Sequence, residues 1–241
     1  MATLEFLGVG SFFAKTNFQN NLLIDKNILI DCGITAGRSL YETNRSFAQI
    51  EHIFITHTHA DHIGGLEECA FFNKFINNGT RPNLYLPKPL EHSLWDHSLR
   101  GGLEDIESGG AEFSDYFNVI PVETKFEIEG IHFEVIPTFH VPNKFCCGLS
   151  MNDQIYFSGD TQFSSDMVLQ HGSNAQIIYH DCQFFNGGIH ASLDELCTLP
   201  EDIRQKTWLM HCPDDFPDHE ARATNEGFTL ARQHTEYTFE L

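Results

Sequence analysis

Short apolar runs, each ended by Gly, Asn or Asp, set the rhythm of the chain. "LEFLGVG" (4–10), "NNLLIDK" (20–26), "NILIDCG" (27–33) and "HIFITH" (52–57) have the length and β-rich content of strands bounded by turn residues. The spacing then changes. In "GGLEECAFFNKFINNG" (64–79) apolar residues recur at helical intervals and stop at Asn-Gly, which predicts a helix with its terminator. "NLYLP" (83–87) predicts a strand, and "KPLEHSLWDHSLRGG" (88–102) a helix opened by proline and closed by glycines.

The second half keeps the same alternation. "FNVIPV" (117–122), "CCGLSM" (146–151), "QIYFSGD" (154–160), "AQIIYHDC" (175–182) and "KTWLMHC" (206–212) predict strands, and "KFEIEGIHFEVIPTFH" (125–140) two strands around Glu129-Gly130. "SSDMVLQHG" (164–172) and "HASLDELCTLP" (190–200) predict helices. No low-complexity segment or linker interrupts the pattern. The expectation is one α/β domain over residues 1–241, with two packed sheets flanked by helices.

Composition adds three constraints. No run approaches the ~18–20 apolar residues of a membrane span, and "MATLEFLGVGSFF" lacks the basic and long apolar segments of a secretory signal. A cytosolic protein without membrane partners is expected. The seven cysteines have no framework-like spacing and predict small core residues in a reducing compartment. Charge is the sharpest constraint. Fourteen Lys and Arg against 34 Asp and Glu give a formal charge of −20, which repels a long nucleic acid but not a small anion held on a metal.

Four predicted strands end in candidate metal ligands: His57, His140, Asp160 and His211. Strand ends meeting at one rim are where α/β folds place their sites. The densest cluster is "THTHADHIGGL" (56–66), which carries His57, His59, Asp61 and His62. Imidazole and carboxylate suit zinc, and a site with an open position activates water. The remaining histidines, His52, His92, His97, His132, His171, His219 and His234 among them, are expected to be solvated or structural.

With His140, "SGDT" (158–161) and "LMHC" (209–212) following in order, the chain resembles the metallo-β-lactamase superfamily over nearly its whole length. The resemblance implies a four-layer αββα sandwich and a two-metal site, zinc with manganese as the other candidate. His57, His59 and His140 would hold one ion, and Asp61, His62 and His211 the other. Asp160 would bridge them, and Asp61 would also orient the hydroxide that two such ions generate at neutral pH.

Two further motifs, "YHDC" (179–182) and "IHASLDEL" (189–196), resemble the tRNase Z group. Asp181 stands where that group has glutamate, and Ala191-Ser192 replace Ser-Thr. The resemblance implies that His190 binds phosphate and protonates the leaving oxygen, with Asp181 orienting its imidazole. Three features depart from that group: the acidic charge, the missing Gly- and Lys-rich arm, and "CPDDFPDHEA" after His211. A compact, acidic relative resembles instead the anti-Pycsar phosphodiesterases of phages and bacteria. That resemblance implies hydrolysis of cyclic CMP and cyclic UMP, with cyclic AMP and cyclic GMP also accepted. It further implies a homodimer, evasion or regulation of cyclic-nucleotide antiphage signalling, and the host cytosol for a phage-encoded protein. A tRNase Z-like endoribonuclease and a non-enzymatic cyclic-nucleotide sponge are the alternatives. Phe145, Phe184, Phe185, Tyr116 and Phe117 are candidates for stacking on a base, with core packing the competing role.

Overall fold

The computed structural model describes residues 1–107 and 109–239, which divide into two compact units. The first takes Met1–Gly8, Phe18–Glu123 and the stretch from His234. Its sheet has seven strands in the order Glu236–Phe239, Ala2–Gly8, Asn21–Ile24, Ile28–Ile30, His52–Phe54, Asn83–Pro87 and Asn118–Val122. The strands from Ile28–Ile30 onward run parallel. Both faces of Asn21–Ile24 and Ile28–Ile30 are buried, which is why these runs are continuously apolar rather than alternating.

Helical segments lie between several of these strands in the chain. Ala36–Glu42 packs on Ala2–Gly8, with the Ser39 hydroxyl donating to the Leu7 carbonyl at 2.5 Å. Leu66–Phe71 continues into a wider turn at Phe72–Ile76 and stops where Asn78 and Gly79 take positive φ. The segment from Lys88 continues through Arg100–Leu103, so Gly101 and Gly102 lie inside it and do not close it as the sequence predicts. A methyl group at Gly102 would meet only the movable carboxylate of the exposed Glu67.

One ion pair in this unit is largely removed from solvent. Arg45 donates to Glu5 at 2.5 Å, with side-chain exposures of 13% and 5%. Breaking a buried pair strands the remaining charge, a loss of about 3–5 kcal/mol. Arg45→Leu is therefore expected to lower unfolding free energy by about 3 kcal/mol in a urea titration, with the Glu5→Gln, Arg45→Leu double variant recovering part of it. A single variant as stable as the parent would show that Glu5 finds water.

The second unit takes Val9–Asn17 and Thr124–Gln233. Its seven strands lie in the order Thr229–Leu230, Thr207–Met210, Ile177–Asp181, Ile155–Phe157, Cys146–Met151, Ile131–Thr138 and Lys125–Ile128. Glu129 and Gly130 both have positive φ, the two-residue turn that matches strand twist. On one face Tyr156, Ile178 and Leu209 form a core with Val168 of the helix Ser165–Gly172 and Ala223 of Phe216–Asn225. Fully burying one such large apolar side chain contributes about 1.5–3 kcal/mol.

The seven cysteines are all free, and all but Cys197 are buried. Burial pushes the Cys69 thiol up to about 12 and Cys32 well above its ordinary value. Both thus remain protonated and inert, packed as small apolar groups. No helix among the described residues is long and apolar enough to cross a membrane.

Candidate functional site

In the first unit the parallel strands Ile28–Ile30 and His52–Phe54 end side by side and deliver Asp31 and the Thr56–His62 segment. The Nε2 of His57 and Nδ1 of His59 lie 3.0 Å apart, and Asp61 Oδ2 lies 3.3 Å from His62 Nε2. The rings of His57 and His62 are 4.1 Å apart by centroid. Two donors each about 2.1 Å from one tetrahedral ion sit about 3.4 Å apart, so both spacings are those of co-ligands.

Asp31 holds this group in place. Its carboxylate accepts from the Thr56 amide at 2.8 Å, the Thr56 hydroxyl at 2.8 Å and His62 Nδ1 at 2.7 Å. An acceptor at Nδ1 makes that nitrogen the N–H, which leaves Nε2 as the basic, metal-seeking atom. Burial raises the Asp31 carboxyl above its ordinary range, against the pull of His62 and Thr56. Close backbone approach completes the arrangement: a methyl at Gly33 would lie 2.0 Å from the Asp61 carbonyl oxygen, so only glycine fits there. Asp31 was legible in the sequence only as the polar end of "NILIDCG".

In the second unit Ile155–Phe157, Ile177–Asp181 and Thr207–Met210 are adjacent and parallel. Their C-terminal ends put Asp160, Asp181 and His211 along one sheet edge. Ile131–Thr138 lies two strands from Ile155–Phe157 and runs the same way, which adds His140. His140 Nε2 and His211 Nε2 lie 3.7 and 3.5 Å from the same Asp160 oxygen. These spacings are long for hydrogen bonds and suit co-ligands, with Asp160 Oδ2 between two imidazoles. His140 Nδ1 donates to the Ile189 carbonyl at 2.8 Å, again leaving Nε2 for a metal. Burial lowers the His140 pKa below the ordinary imidazole value and keeps the ring in its neutral, ligating form.

Backbone conformation at this edge is special. His211 has φ of 55°, a left-handed turn that aims its ring off the strand. Its neighbour Cys212 is pinned by hydrogen bonds with Val9 and Ser11. Gly159 has φ of 58°, and a methyl there would meet the Cys147 carbonyl oxygen at 2.4 Å. Strain of this kind persists where surrounding structure enforces it, which is common at functional sites.

His190 and Asp181 are brought together at the same edge. Asp181 Oδ2 accepts from His190 Nδ1 at 2.8 Å and from the Thr161 amide at 3.1 Å, and its other oxygen lies 3.2 Å from His180 Nδ1. Burial pushes the Asp181 carboxyl up, but the hydrogen bonds and charges of His180 and His190 outweigh it and leave the carboxyl below its ordinary range. An ionised acceptor at Nδ1 directs the working proton of His190 to Nε2. Asp160, Asp181, His190 and His211 each offer a donor atom within 4.8 Å of the others. Each unit thus carries buried nitrogen and oxygen donors held by outer hydrogen bonds, a chemistry that fits a divalent transition metal.

The aromatic candidates separate by exposure. Tyr116 and Phe117 are buried, and the Tyr116 hydroxyl donates to the Leu103 carbonyl at 2.7 Å. Neither offers a face to a base, which corrects their candidacy in favour of core packing. Phe184 stacks on His219 at 4.3 Å, so one of its faces is taken. Phe185 is exposed, and Phe145 is half-buried. His180, not singled out in the sequence, is buried against Asp181; its signal was its place beside Asp181 in "YHDC".

Comparison with known proteins agrees with this geometry. The family model Anti-Pycsar protein Apyc1 matches residues 2–237. The Anti-Pycsar protein Apyc1 of Paenibacillus harenae is 40% identical over 227 residues, covering 91% of this chain and 93% of its own. That of Bacillus phage BSP38 is 37% identical over 244 residues, covering 94% and 95%. Among solved structures, a diphosphatase from the PhnP family superposes with a TM-score of 0.79 at 20% identity, covering 100% of this chain and 99% of its own. The short form of human tRNase Z superposes at 0.69 and 16% identity, covering 99% and 100%. These likenesses identify the metallo-β-lactamase fold.

Proposed function

As a member of the Anti-Pycsar protein Apyc1 family, the chain is a metal-dependent phosphodiester hydrolase, and we propose that its substrates are 3′,5′-cyclic mononucleotides. Cyclic CMP and cyclic UMP are the expected substrates, with cyclic AMP and cyclic GMP also accepted, each opened to a nucleoside monophosphate. The observation that carries this reading is the Asp181–His190 hydrogen bond at 2.8 Å, on the edge that also bears Asp160 and His211. It supplies an oriented proton donor, which an ester with a poor alkoxide leaving group requires.

In this reading residues 1–241 act as one domain whose donors bind two ions, zinc or manganese. His57, His59 and His140 serve one ion, Asp61, His62 and His211 the other, and Asp160 both. When bound, such a pair lowers the pKa of water and clamps phosphate oxygens. Asp31 and the Ile189 carbonyl orient imidazoles, and Asp61 orients the nucleophile. Asp181 holds His190 so that Nε2 delivers a proton to the departing ribose oxygen. A homodimer acting in the host cytosol to remove an antiphage signal completes the proposal.

The formal charge of −20 favours a small anion over transfer RNA, because polymer binding draws its affinity from Lys and Arg contacts. A sponge that only sequesters the nucleotide has no use for a proton relay. Competition tests the assignment: cyclic CMP, cyclic UMP and precursor transfer RNA are offered together at equal, limiting concentration. We expect nucleoside monophosphates and intact RNA. Cleaved RNA beside untouched cyclic nucleotides would return the chain to the endoribonuclease reading, and bound but unhydrolysed nucleotides to the sponge.

A further inference from the structure

Among the described residues, the second unit leaves six large apolar side chains exposed: Phe12, Phe13, Phe139, Leu169, Phe185 and Ile189. All but Leu169 belong to segments that carry or hold the donor residues. Phe139 precedes His140, and Ile189 and Phe185 share the loop that leads to His190. Phe12 and Phe13 follow Ser11, whose amide donates to the Cys212 carbonyl beside His211. Scattered exposed apolar residues need no explanation, whereas a concentration at one functional edge does.

Phe139 faces a cavity and has a held backbone. The residue is 59% exposed, yet its carbonyl accepts from the Gln162 backbone amide at 2.7 Å and lies 3.5 Å from the Thr161 hydroxyl. It lines a cavity of about 430 Å³, together with Phe163 and Met167 on the apolar side and Thr161, Gln162 and Ser164 on the polar side. Small-ligand sites begin at about 300 Å³. Two of these wall residues are chain neighbours of donors: Phe139 adjoins His140, and Thr161 adjoins Asp160. The side-chain Nε2 of Gln162 donates to the His140 carbonyl at 3.3 Å, so the other end of that amide is the acceptor Oε1.

We propose that this cavity is the nucleobase subsite of the enzyme, with Phe139 as the stacking face and Gln162 Oε1 as an acceptor for a base N–H. The inference rests on the cyclic-nucleotide reading and adds to it where the base goes. A planar ring on a rigid backbone is preorganised, and stacking is tolerant of base identity, which accounts for acceptance of both pyrimidines and purines.

The test is a substitution series at Phe139, an exposed position where replacement leaves no internal cavity. Phe139→Leu keeps bulk and apolarity but loses the aromatic face; Phe139→Trp keeps the face. KM and kcat for cyclic CMP and cyclic AMP are measured for each, with Phe139→Ala beside them. Stacking worth about 1–3 kcal/mol per base converts to roughly 5- to 150-fold. We expect KM to rise within that range for the Leu and Ala variants, with kcat changed far less, and Phe139→Trp to restore wild-type KM. If the wild-type protein turns over cyclic nucleotides and Phe139→Leu matches it, the subsite falls while the function stands. If the wild-type protein leaves every cyclic nucleotide intact, both fall.

Discussion

Stripped of metal by a chelator, the protein is expected to lose at least about 10³-fold of its phosphodiester hydrolysis and to regain it when zinc or manganese is returned. The expectation follows from the donors. Imidazoles and carboxylates, all buried but the half-buried His59, stand at co-ligand spacings in each unit, 3.0 and 3.3 Å in one and 3.5 and 3.7 Å in the other. Metal Lewis acidity is worth several kcal/mol of transition-state stabilisation, and 4.1 kcal/mol is a thousandfold. Elemental analysis of protein purified without added metal should give close to two equivalents per chain, and Asp160→Ala should give fewer. Full activity in chelator, with no bound metal, would overturn the assignment.

Replacing His190 separates holding metal from moving a proton. His190→Ala is expected to keep its metal, because the side chain is 20% exposed and leaves no sealed void, though it removes one partner of the buried Asp181 carboxylate. Turnover of cyclic nucleotides should fall about 10²–10⁴-fold, the usual contribution of general acid catalysis. The diagnostic control is bis(p-nitrophenyl) phosphate, whose nitrophenolate leaves without a proton; its hydrolysis should fall much less. Asp181→Asn should move both substrates in the same directions. Equal losses on both would make His190 a phosphate-binding group only, and unchanged turnover would remove the pair from the mechanism.

Much of this was legible in the sequence because the chemistry sits where apolar runs stop. A run such as "IFITH" marks a strand and its end at once, so strand and ligand were read together. The superfamily and its anti-Pycsar branch followed from ordered motifs. What escaped depended on side-chain environment. Asp31 reads as a turn residue until His62 is found on its carboxylate. Tyr116 and Phe117 lie in a polar-looking stretch, yet both are buried. Phe139, one position past the strand Ile131–Thr138, lies in "EVIPTFH", which reads as strand, but the residue is exposed. The helix Phe216–Asn225 carries a proline and two acids in its first five residues with little apolar periodicity, so no helix is expected from the acidic "CPDDFPDHEA".

The place of Glu236–Phe239 in the first sheet has a consequence in time. Its partner Ala2–Gly8 leaves the ribosome roughly 230 residues earlier, and at about 5–20 residues per second that is a wait of about 10–45 s. Through that interval the backbone groups on one side of Ala2–Gly8 have no strand beside them, a template for pairing with another nascent chain. Glu5, in the middle of that strand, carries an inward charge matched to Arg45 of the same unit, and inward charge is a device that discourages foreign strands from docking on an open edge. The Glu5–Arg45 pair thus protects a growing chain as well as stabilising a finished one.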